Sequence, residues 1–387
     1  MIPYGRQTIS NEDIEAVINV LKSDYLTQGP AVPTFEQAVC HSVNSQYAVA
    51  VNSGTSALHI ACLALELGED DWLWTSPNTF VASANCGLYC GAKVDFVDID
   101  SQSYNLCAKK LEKKLIEAKA NNRLPKIVIP VHFAGQSCDM KRIYELSQKY
   151  GFRIIEDASH AIGGEYKKQP VGNCQYSDIT VFSFHPVKII TTGEGGMATT
   201  NSKNLARRME MLRSHGITRE QSEMSKEPDG DWYYQQSMLG FNYRMTDIQA
   251  ALGCSQMAKL KEFINDRHAL ARRYVEQLAQ LPVVIPLQNS DSISSYHLYP
   301  ILLKLDEVTK TKRQIFSELR SKGVGVNVHY IPVHTQPYYQ SLGFKLGDYP
   351  EAEAYYNSVI TIPLFSGMTH QQQDYVVEQI KQVVRLG

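Results

Sequence analysis

Hydrophobic and polar positions follow two different periods along the first two-thirds of the chain. Short apolar runs, each suited to a buried strand, are separated by segments in which apolar residues recur at helical spacing. The strand-like runs are YAVAV (47–51), KVDFVDI (93–99), KIVIPVHF (126–133), FRIIE (152–156) and ITVFSF (179–184). This alternation predicts an α/β protein with a largely parallel sheet covered by helices. Ligands of such sheets bind at the carboxyl ends of the strands.

The pattern changes after residues 219–235, a polar segment with Pro-Asp-Gly that predicts a surface excursion. A helix is then expected to begin after Thr246, because Thr246 and Gln249 have capping-box spacing. Its apolar periodicity continues to Pro282, which predicts one long helix.

The last third of the chain predicts a smaller α/β domain. Its strand-like runs are HLYPILL and VGVNVHY, and its helical patterns lie near 309–321 and 369–385. We therefore expect a large domain at residues 1–250, whose N-terminal segment is free to pack elsewhere, and a small C-terminal domain at residues 251–387.

Composition narrows the class of protein. With 387 residues, 43% hydrophobic and 20% charged, the chain can bury the cores of two globular domains. A net charge of −2 gives no broad attraction to nucleic acids or anionic membranes. The start of the chain lacks the pattern of a signal peptide, and no apolar run approaches the roughly 20 residues that span a bilayer. We expect a cytoplasmic protein that binds neither nucleic acid nor membrane.

The eight cysteines form no C-x-x-C motif and no zinc-finger spacing, so we expect thiols and no metal site.

Two stretches that come at the ends of predicted strands carry polar groups. The first has donors suited to an anion, and the second has a carboxylate suited to a cation. In NSGTSAL, Gly54 permits a tight turn, and Thr55 and Ser56 lie where the next helix exposes free amides. Taken alone, this stretch is equally well interpreted as a phosphate-binding turn or as an ordinary helix cap. In EDASHA, Asp157 ends a strand and His160 follows it. A partly buried aspartate needs a partner, which a protonated ring nitrogen or a structural group would provide.

Two further stretches supply an amine and an aromatic face. In SFHPVK, Ser183 offers a hydroxyl, and Pro186 stiffens the chain before Lys188. The following TTGEGG lets the backbone pass close to a ligand. Lys188 is therefore either a turn residue or an amine presented to a ligand. Phe80, in PNTFVASAN, is by itself most simply a packing residue.

Taken together, these groups match the needs of pyridoxal 5′-phosphate (PLP). Its phosphate needs amides and hydroxyls, its pyridine nitrogen needs an acid, and its aldehyde needs a lysine for a Schiff base. No G-x-G-x-x-G opens the first strand–helix turn, which argues against a dinucleotide-binding dehydrogenase.

At these residues the chain resembles the DegT/DnrJ nucleotide-sugar aminotransferases over essentially its whole length. The shared stretches are NSGTSAL, TFVASAN, EDASHA, FSFHPVK with TTGEGG, RSHGI, FNYRMTDIQAALG and VHYIPVH. The resemblance implies the PLP-dependent fold type I of aspartate aminotransferase, and PLP and pyridoxamine phosphate as the two cofactor forms.

The resemblance also implies a role for individual residues. Lys188 and Asp157 would be catalytic, as the Schiff-base lysine and the partner of the pyridine nitrogen. Phe80 would stack on the cofactor ring, and His160 would lie near the ring hydroxyl. The phosphate would be bound by Gly54, Thr55, Ser56 and Ser183, and by Asn242 of a neighbouring subunit. The active unit would then be a homodimer with active sites at the subunit interface.

Within the family, the nearest resemblance is to the transaminases of pseudaminic acid biosynthesis. It implies transfer of the amino group of L-glutamate to C4 of a UDP-4-keto-6-deoxy-N-acetylhexosamine, for a cell-surface polysaccharide. The sugar nucleotide would be bound by Tyr4, Tyr25, Leu26, Thr27, His329 and Tyr330. The chain departs from that branch at Gly54, where the branch has alanine, and in the longer segment at 219–235.

Two alternatives remain open at this stage. In the first, the acceptor is another 4-keto sugar nucleotide, such as a UDP-pentose or a dTDP-hexose. In the second, the chain is a non-enzymatic regulator on the same fold. Family members that remove a hydroxyl have histidine in place of the lysine, and Lys188 argues against that chemistry here.

Overall fold

The computed structural model of the protein describes residues 1–384. In this range thirteen α-helices, three short 3-10 helices and fifteen strands form. The helices are α1 (Asn11–Leu21), α2 (Ala31–Val43), α3 (Gly54–Ala64), α4 (Ala82–Tyr89), α5 (Ala108–Ala120), α6 (Met140–Tyr150), α7 (Lys203–Arg213), α8 (Asp247–Ala258), α9 (Leu260–Leu278), α10 (Lys312–Ser321), α11 (Pro337–Ser341), α12 (Pro350–Ser358) and α13 (His370–Val383). The strands are β1 (Tyr47–Val51), β2 (Trp72–Thr75), β3 (Lys93–Phe96), β4 (Ile127–Ile129), β5 (Arg153–Asp157), β6 (Glu165–Tyr166), β7 (Gln169–Pro170), β8 (Ile179–Ser183), β9 (Gly196–Thr200), β10 (Ile217–Thr218), β11 (Gln235–Gln236), β12 (Val283–Val284), β13 (Ser292–Ile293), β14 (Tyr299–Leu303) and β15 (Val359–Ile362).

A seven-stranded sheet in the order β1-β9-β8-β5-β4-β2-β3 organises the larger part of the molecule. The pairs from β8 through β5, β4 and β2 to β3 are parallel, and β9 runs antiparallel to both of its neighbours. The predicted, largely parallel α/β sheet is therefore confirmed. Strand β9 was missed, because its sequence GMATT follows a glycine-rich loop and lacks the large β-branched side chains that mark the other strands.

Apolar side chains on both faces of this sheet pack against helices. On one face α3 is buried almost throughout, and residues such as Leu58 and Ile60 lie in the same cluster as Val181 of β8. On the other face Phe35 and Val39 of α2 pack with Phe182. Successive residues of β8 thus enter different cores, which is why its sequence is a continuous apolar run without alternation.

A separate cluster of buried side chains fills the C-terminal part, from Leu270 to Val384. It is built on the antiparallel sheet β12-β14-β15 with α9, α10 and α13. The domain boundary at residues 250 and 251 stays a prediction; α8 runs through it. VGVNVHY was wrongly predicted to be a strand, since its pairing is limited to isolated bridges at Val324 and Asn327.

The long helix predicted from Thr246 to Pro282 is divided in the structure. The capping box of Thr246 and Gln249 is confirmed at the start of α8. The chain leaves helical geometry at Lys259, which is the C-cap of α8 and the N-cap of α9. Nζ of Lys259 lies 2.5 Å from the buried carboxylate of Asp13 in α1. The apolar periodicity continues through Lys259, so it carried no sign of the break.

The N-terminal segment packs against the C-terminal part. Ile2 forms a parallel bridge with Val324, and the carbonyl of Tyr4 accepts a hydrogen bond from the amide of Leu364. The predicted excursion at 219–235 is a mostly exposed loop closed by the short pair β10–β11, with Trp232 76% exposed. In residues 1–384 we find no helix long and apolar enough to cross a membrane.

Candidate active site

A cavity of about 920 Å³ opens at the carboxyl ends of β1, β5 and β8. The turn after β1 contributes Gly54, Thr55 and Ser56, and the ends of β5 and β8 contribute Asp157 and Ser183. Lys188 and Phe80 line the same space. Parallel strands end at one edge of their sheet, so side chains separated by more than 100 residues converge there.

The turn between β1 and α3 forms a cradle of amides and hydroxyls. Ser53 is the N-cap of α3, and its Oγ accepts the amide of Ser56 at 3.1 Å. The first amides of a helix have no partner inside the helix, so this turn presents free donors. A Cβ on Gly54 would lie 2.9 Å from Cβ of Ser183. Glycine therefore lets β8 and this turn approach each other more closely than a side chain would allow.

Asp157 is a buried carboxylate with two protein donors. Its Oδ2 accepts the hydroxyl of Ser83 at 2.6 Å, and its Oδ1 accepts the amide of Ser159 at 3.1 Å. A carboxylate accepts up to four hydrogen bonds, so both oxygens can take a further donor from the cavity. Asp157 is therefore suited to a protonated ring nitrogen.

Lys188 extends from a closed loop between β8 and β9. The carbonyl of Phe184 accepts hydrogen bonds from the amide of Thr192 and the hydroxyl of Thr191, both at 3.0 Å, and ties the two ends of the loop together. Burial lowers the pKa of Lys188 to about 8, although the nearby Asp157 favours the charged form. Near neutral pH about a tenth of the amine is then unprotonated, far more than for a solvated lysine. This loop thus presents a nucleophilic amine.

Phe80 lines the cavity with its side chain 60% exposed. Its ring centroid lies 6.4 Å from that of Tyr330. An aromatic side chain left this exposed in a cavity has a free face for a planar ligand. The alternative, a buried packing residue, does not describe Phe80.

His160 and Tyr330 form a hydrogen-bonded pair on the cavity wall. Nδ1 of His160 accepts the amide of Ala134 at 3.3 Å, and Nε2 lies 3.0 Å from the hydroxyl of Tyr330. Burial, with Lys188 and His329 nearby, lowers the pKa of His160 well below its usual value, so the ring is neutral. Because Nδ1 accepts, the proton is on Nε2 and is donated to Tyr330.

Tyr4 and His329, two of the predicted substrate residues, line the cavity beside this pair. Their ring centroids lie 5.1 Å apart. Nδ1 of His329 lies 2.9 Å from the hydroxyl of Thr361. Burial and the neighbouring Lys188 lower the pKa of His329 to about 3, so it is a neutral hydrogen-bonding group.

Four predicted residues do not line the cavity of this single chain. Tyr25 and Leu26 are 55% and 49% exposed, and Asn242 is also exposed. Thr27 forms a bridge with Thr246, at the start of α8. They lie on the segments around the start of α8, outside the space that holds Lys188.

Sequence reasoning missed three residues of this site. Ser83, which binds Asp157, lies in the quoted TFVASAN, but a serine in the first turn of a helix has no distinctive pattern. His297 is buried in the cavity wall with Nδ1 unpartnered, and its ring centroid lies 4.4 Å from that of His160. Asn327 lines the wall from the segment wrongly predicted to be a strand. Ser83 and His297 contact residues far away in the chain, and such contacts have no local signature.

Comparison with known proteins gives the family. The model of the DegT/DnrJ/EryC1/StrS aminotransferase family matches residues 7–381. The chain belongs to this family. It is 37% identical to a UDP-4-amino-4,6-dideoxy-N-acetyl-β-L-altrosamine transaminase of Campylobacter jejuni serotype O:23/36, over 98% of this chain and 96% of that one.

Solved structures agree with this assignment. Helicobacter pylori PseC, an aminotransferase involved in the biosynthesis of pseudoaminic acid, superposes with a TM-score of 0.89 at 31% identity, over 99% of both chains. The PLP form of the putative sugar aminotransferase Spr1654 from Streptococcus pneumoniae has a TM-score of 0.88 at 28% identity, over 99% of this chain and 98% of that one. The expected fold and the expected PLP-dependent sugar aminotransferase are confirmed.

The residues of this cavity fit PLP. The cradle where the turn at Gly54 approaches Ser183 suits the phosphate, and the lysine with a lowered pKa suits the aldehyde. Asp157 has lone pairs left for the ring nitrogen, and Phe80 has a free face for the ring. Each of these groups was predicted from the sequence, and the structure brings them to one space.

Proposed function

We propose that the chain transfers the amino group of L-glutamate to C4 of a UDP-4-keto-6-deoxy-N-acetylhexosamine, in a pathway of the pseudaminic acid type. The observation that carries the transfer is the meeting of Lys188, Asp157 and the hydroxyl cradle in one cavity. The acceptor is supported by the 37% identity to the altrosamine transaminase and by the cavity positions of Tyr4, His329 and Tyr330. The cytoplasmic location stays a prediction.

Each side chain has a distinct task in this proposal. PLP, when bound, takes up the amino group and draws electrons from the carbon that carried it. Lys188 would hold the aldehyde end, and its amine would move the proton at Cα of glutamate. Asp157 holds the proton on the ring nitrogen. The hydroxyls of Thr55 and Ser183 would bind the phosphate, and that of Ser56, which donates to Oδ1 of Asn52 at 2.7 Å in the structure, would turn toward it.

The charges of the cavity support a shared site in a homodimer. Among the described residues that line it, Lys188 is the only lysine or arginine, and the histidines with shifted pKa values are neutral. The cofactor phosphate and a nucleotide diphosphate carry several negative charges, which one amine cannot balance. We therefore propose that a second copy completes the site and that its Asn242 reaches the cofactor phosphate.

Visible absorbance of the purified protein tests the reaction, since transamination is reversible. L-Glutamate and a panel of nucleotide 4-amino sugars are added separately. Loss of the absorbance band with glutamate and with the altrosamine-type UDP-sugar supports the full proposal. A response only to a different sugar keeps the transferase and rejects this acceptor, in favour of a UDP-pentose or dTDP-hexose. A colourless protein that stays colourless with added PLP contradicts the role of Lys188 and favours the non-enzymatic regulator.

Mixing two inactive variants tests the shared site. Lys188→Ala removes the amine, and Asn242→Asp places a negative charge against the phosphate. If Asn242 acts across the interface, a co-expressed heterodimer has one intact site and regains activity. If Asn242 acts in its own chain, every site carries one lesion and the mixture stays inactive.

A further inference from the structure

Both ring nitrogens of His160 are already engaged by the protein. Nδ1 accepts the amide of Ala134, and Nε2 donates to the hydroxyl of Tyr330. His160 therefore has no nitrogen left for the oxygen at C3 of the cofactor ring, near which the family resemblance places it. Tyr330 is in the opposite position, because its oxygen accepts from His160 and its own proton is free.

The strand order fixes which wall of the cavity faces the C3 oxygen. The phosphate cradle lies at β1 and β8, and Asp157 ends the next strand, β5. Beyond it, the loop after β4 holds His160 through Ala134, and Asn78, after β2, binds the amide of Tyr330 at 3.2 Å. The pyridine ring carries its phosphate arm and its hydroxyl on opposite sides of the line from nitrogen to aldehyde carbon. With the phosphate in the cradle, the hydroxyl points to the wall of Tyr330.

We propose that the hydroxyl of Tyr330, oriented by Nε2–H of His160, donates a hydrogen bond to the C3 oxygen of the cofactor. Tyr330 lines the cavity, and its ring lies 6.4 Å from that of Phe80. Burial and the nearby Asp157 raise the pKa of Tyr330 well above its usual value, so the phenol keeps its proton. His160 is then a positioning residue that acts through Tyr330. The proposal rests on the proposed roles of Lys188 and Asp157.

A donor at the C3 oxygen changes how strongly the neighbouring nitrogen, contributed by Lys188, holds a proton. The oxygen is negatively charged, and its charge attracts that proton. A hydrogen bond from Tyr330 stabilises the charge and weakens the attraction. Loss of the donor therefore raises the pH at which the nitrogen loses its proton. Loss of this proton changes the visible absorbance of the bound cofactor, so the pH can be measured.

The test is a pH titration of visible absorbance in Tyr330→Phe reconstituted with PLP, without substrate. We expect the midpoint to rise by about one pH unit, a tenfold change in the proton equilibrium. Tyr355→Phe is the matched control. It removes another buried phenol hydroxyl, which binds the carbonyl of His329 beside Tyr330 but does not line the cavity. Its midpoint should equal that of the unaltered protein.

His160→Leu gives an independent route if Tyr330→Phe does not fold. It keeps the phenol but removes the donor that orients it, and we expect a smaller rise of the midpoint. An unchanged midpoint in a folded Tyr330→Phe overturns the proposal, even if the KM for the sugar nucleotide rises, because Tyr330 would then serve the substrate alone. If the visible absorbance band of the bound cofactor forms in both variants, the proposed function of Lys188 is unaffected. A protein with no band at all would instead contradict that function.

Discussion

Ser83 donates a hydrogen bond of 2.6 Å to Oδ2 of Asp157, which lies 74 residues further along the chain. Both side chains are buried, Ser83 at 1% exposure and Asp157 at 5%. Ser83 lies in the first turns of α4, and Asp157 ends β5. The helix after β2 therefore fixes the orientation of the carboxylate that is proposed to hold the ring nitrogen.

Ser83→Ala should lower kcat more than stability. A hydrogen bond to a charged group contributes about 1.5–3 kcal/mol, so the freed Asp157 should lose orientation and kcat should fall roughly tenfold. Steady-state kinetics and thermal unfolding measure the two effects. Ser147→Ala is the control, because Ser147 is also buried but its hydroxyl binds Tyr144 within its own helix. Equal kcat values for the two variants would contradict this role of Ser83.

The capture of PLP by cofactor-free protein should follow the protonation of Lys188. Only the neutral amine attacks an aldehyde, and burial lowers the pKa of Lys188 to about 8. The rate of capture, followed by absorbance, should rise as the pH rises through about 8. Asp157 favours the charged amine, so Asp157→Asn should move the midpoint to lower pH. A midpoint above 10, the range of an ordinary lysine, would show that the amine is not desolvated.

Gly54→Ala should weaken cofactor binding while the fold persists. The new Cβ would lie 2.9 Å from Cβ of Ser183, so the cradle must widen. We expect the Kd for PLP, measured by equilibrium dialysis, to rise about tenfold, which corresponds to about 1.4 kcal/mol. Gly68→Ala is the control, since only one atom lies within 4 Å of its added Cβ. Unchanged affinity in Gly54→Ala would show that the cradle adapts without cost.

Glu156, next to Asp157, should contribute to stability against acid. Burial opposes its ionisation, yet hydrogen bonds from His132, Ser177 and Thr180 hold the pKa of Glu156 below its usual value. A lowered folded pKa adds stability that is present above the unfolded value of about 4.3 and is lost as the pH falls through the folded value.

Glu156→Gln removes the charge that these three donors surround. We expect it to lower the free energy of unfolding by roughly 2 kcal/mol at neutral pH, with a smaller loss below pH 4. Urea unfolding at several pH values measures this. The control is Glu66→Gln, which removes an exposed partner of Arg208 and should have no measurable effect. A penalty for Glu156→Gln that does not change with pH would contradict a role of the charge.

The sequence by itself determined the sheet, the chemistry and the family. Continuous apolar runs predicted the parallel strands, since a strand buried on both faces tolerates little polarity. The cofactor residues were also readable, because Asp157 and Ser183 end strands and Gly54 and Lys188 follow strands. Strands of a parallel sheet end at a common edge, so local order along the chain implied proximity in space.

Only the tertiary structure decided the contacts between such segments. Lys259, where the helix breaks, contacts Asp13 of a distant helix, and Asp157 accepts its hydrogen bond from Ser83. The pair of His160 and Tyr330 joins residues 170 positions apart. Hydrophobic periodicity reports which face of an element is buried, but a hydrogen bond between two elements depends on how they pack. The direction of each proton in the site is therefore a property of the folded chain alone.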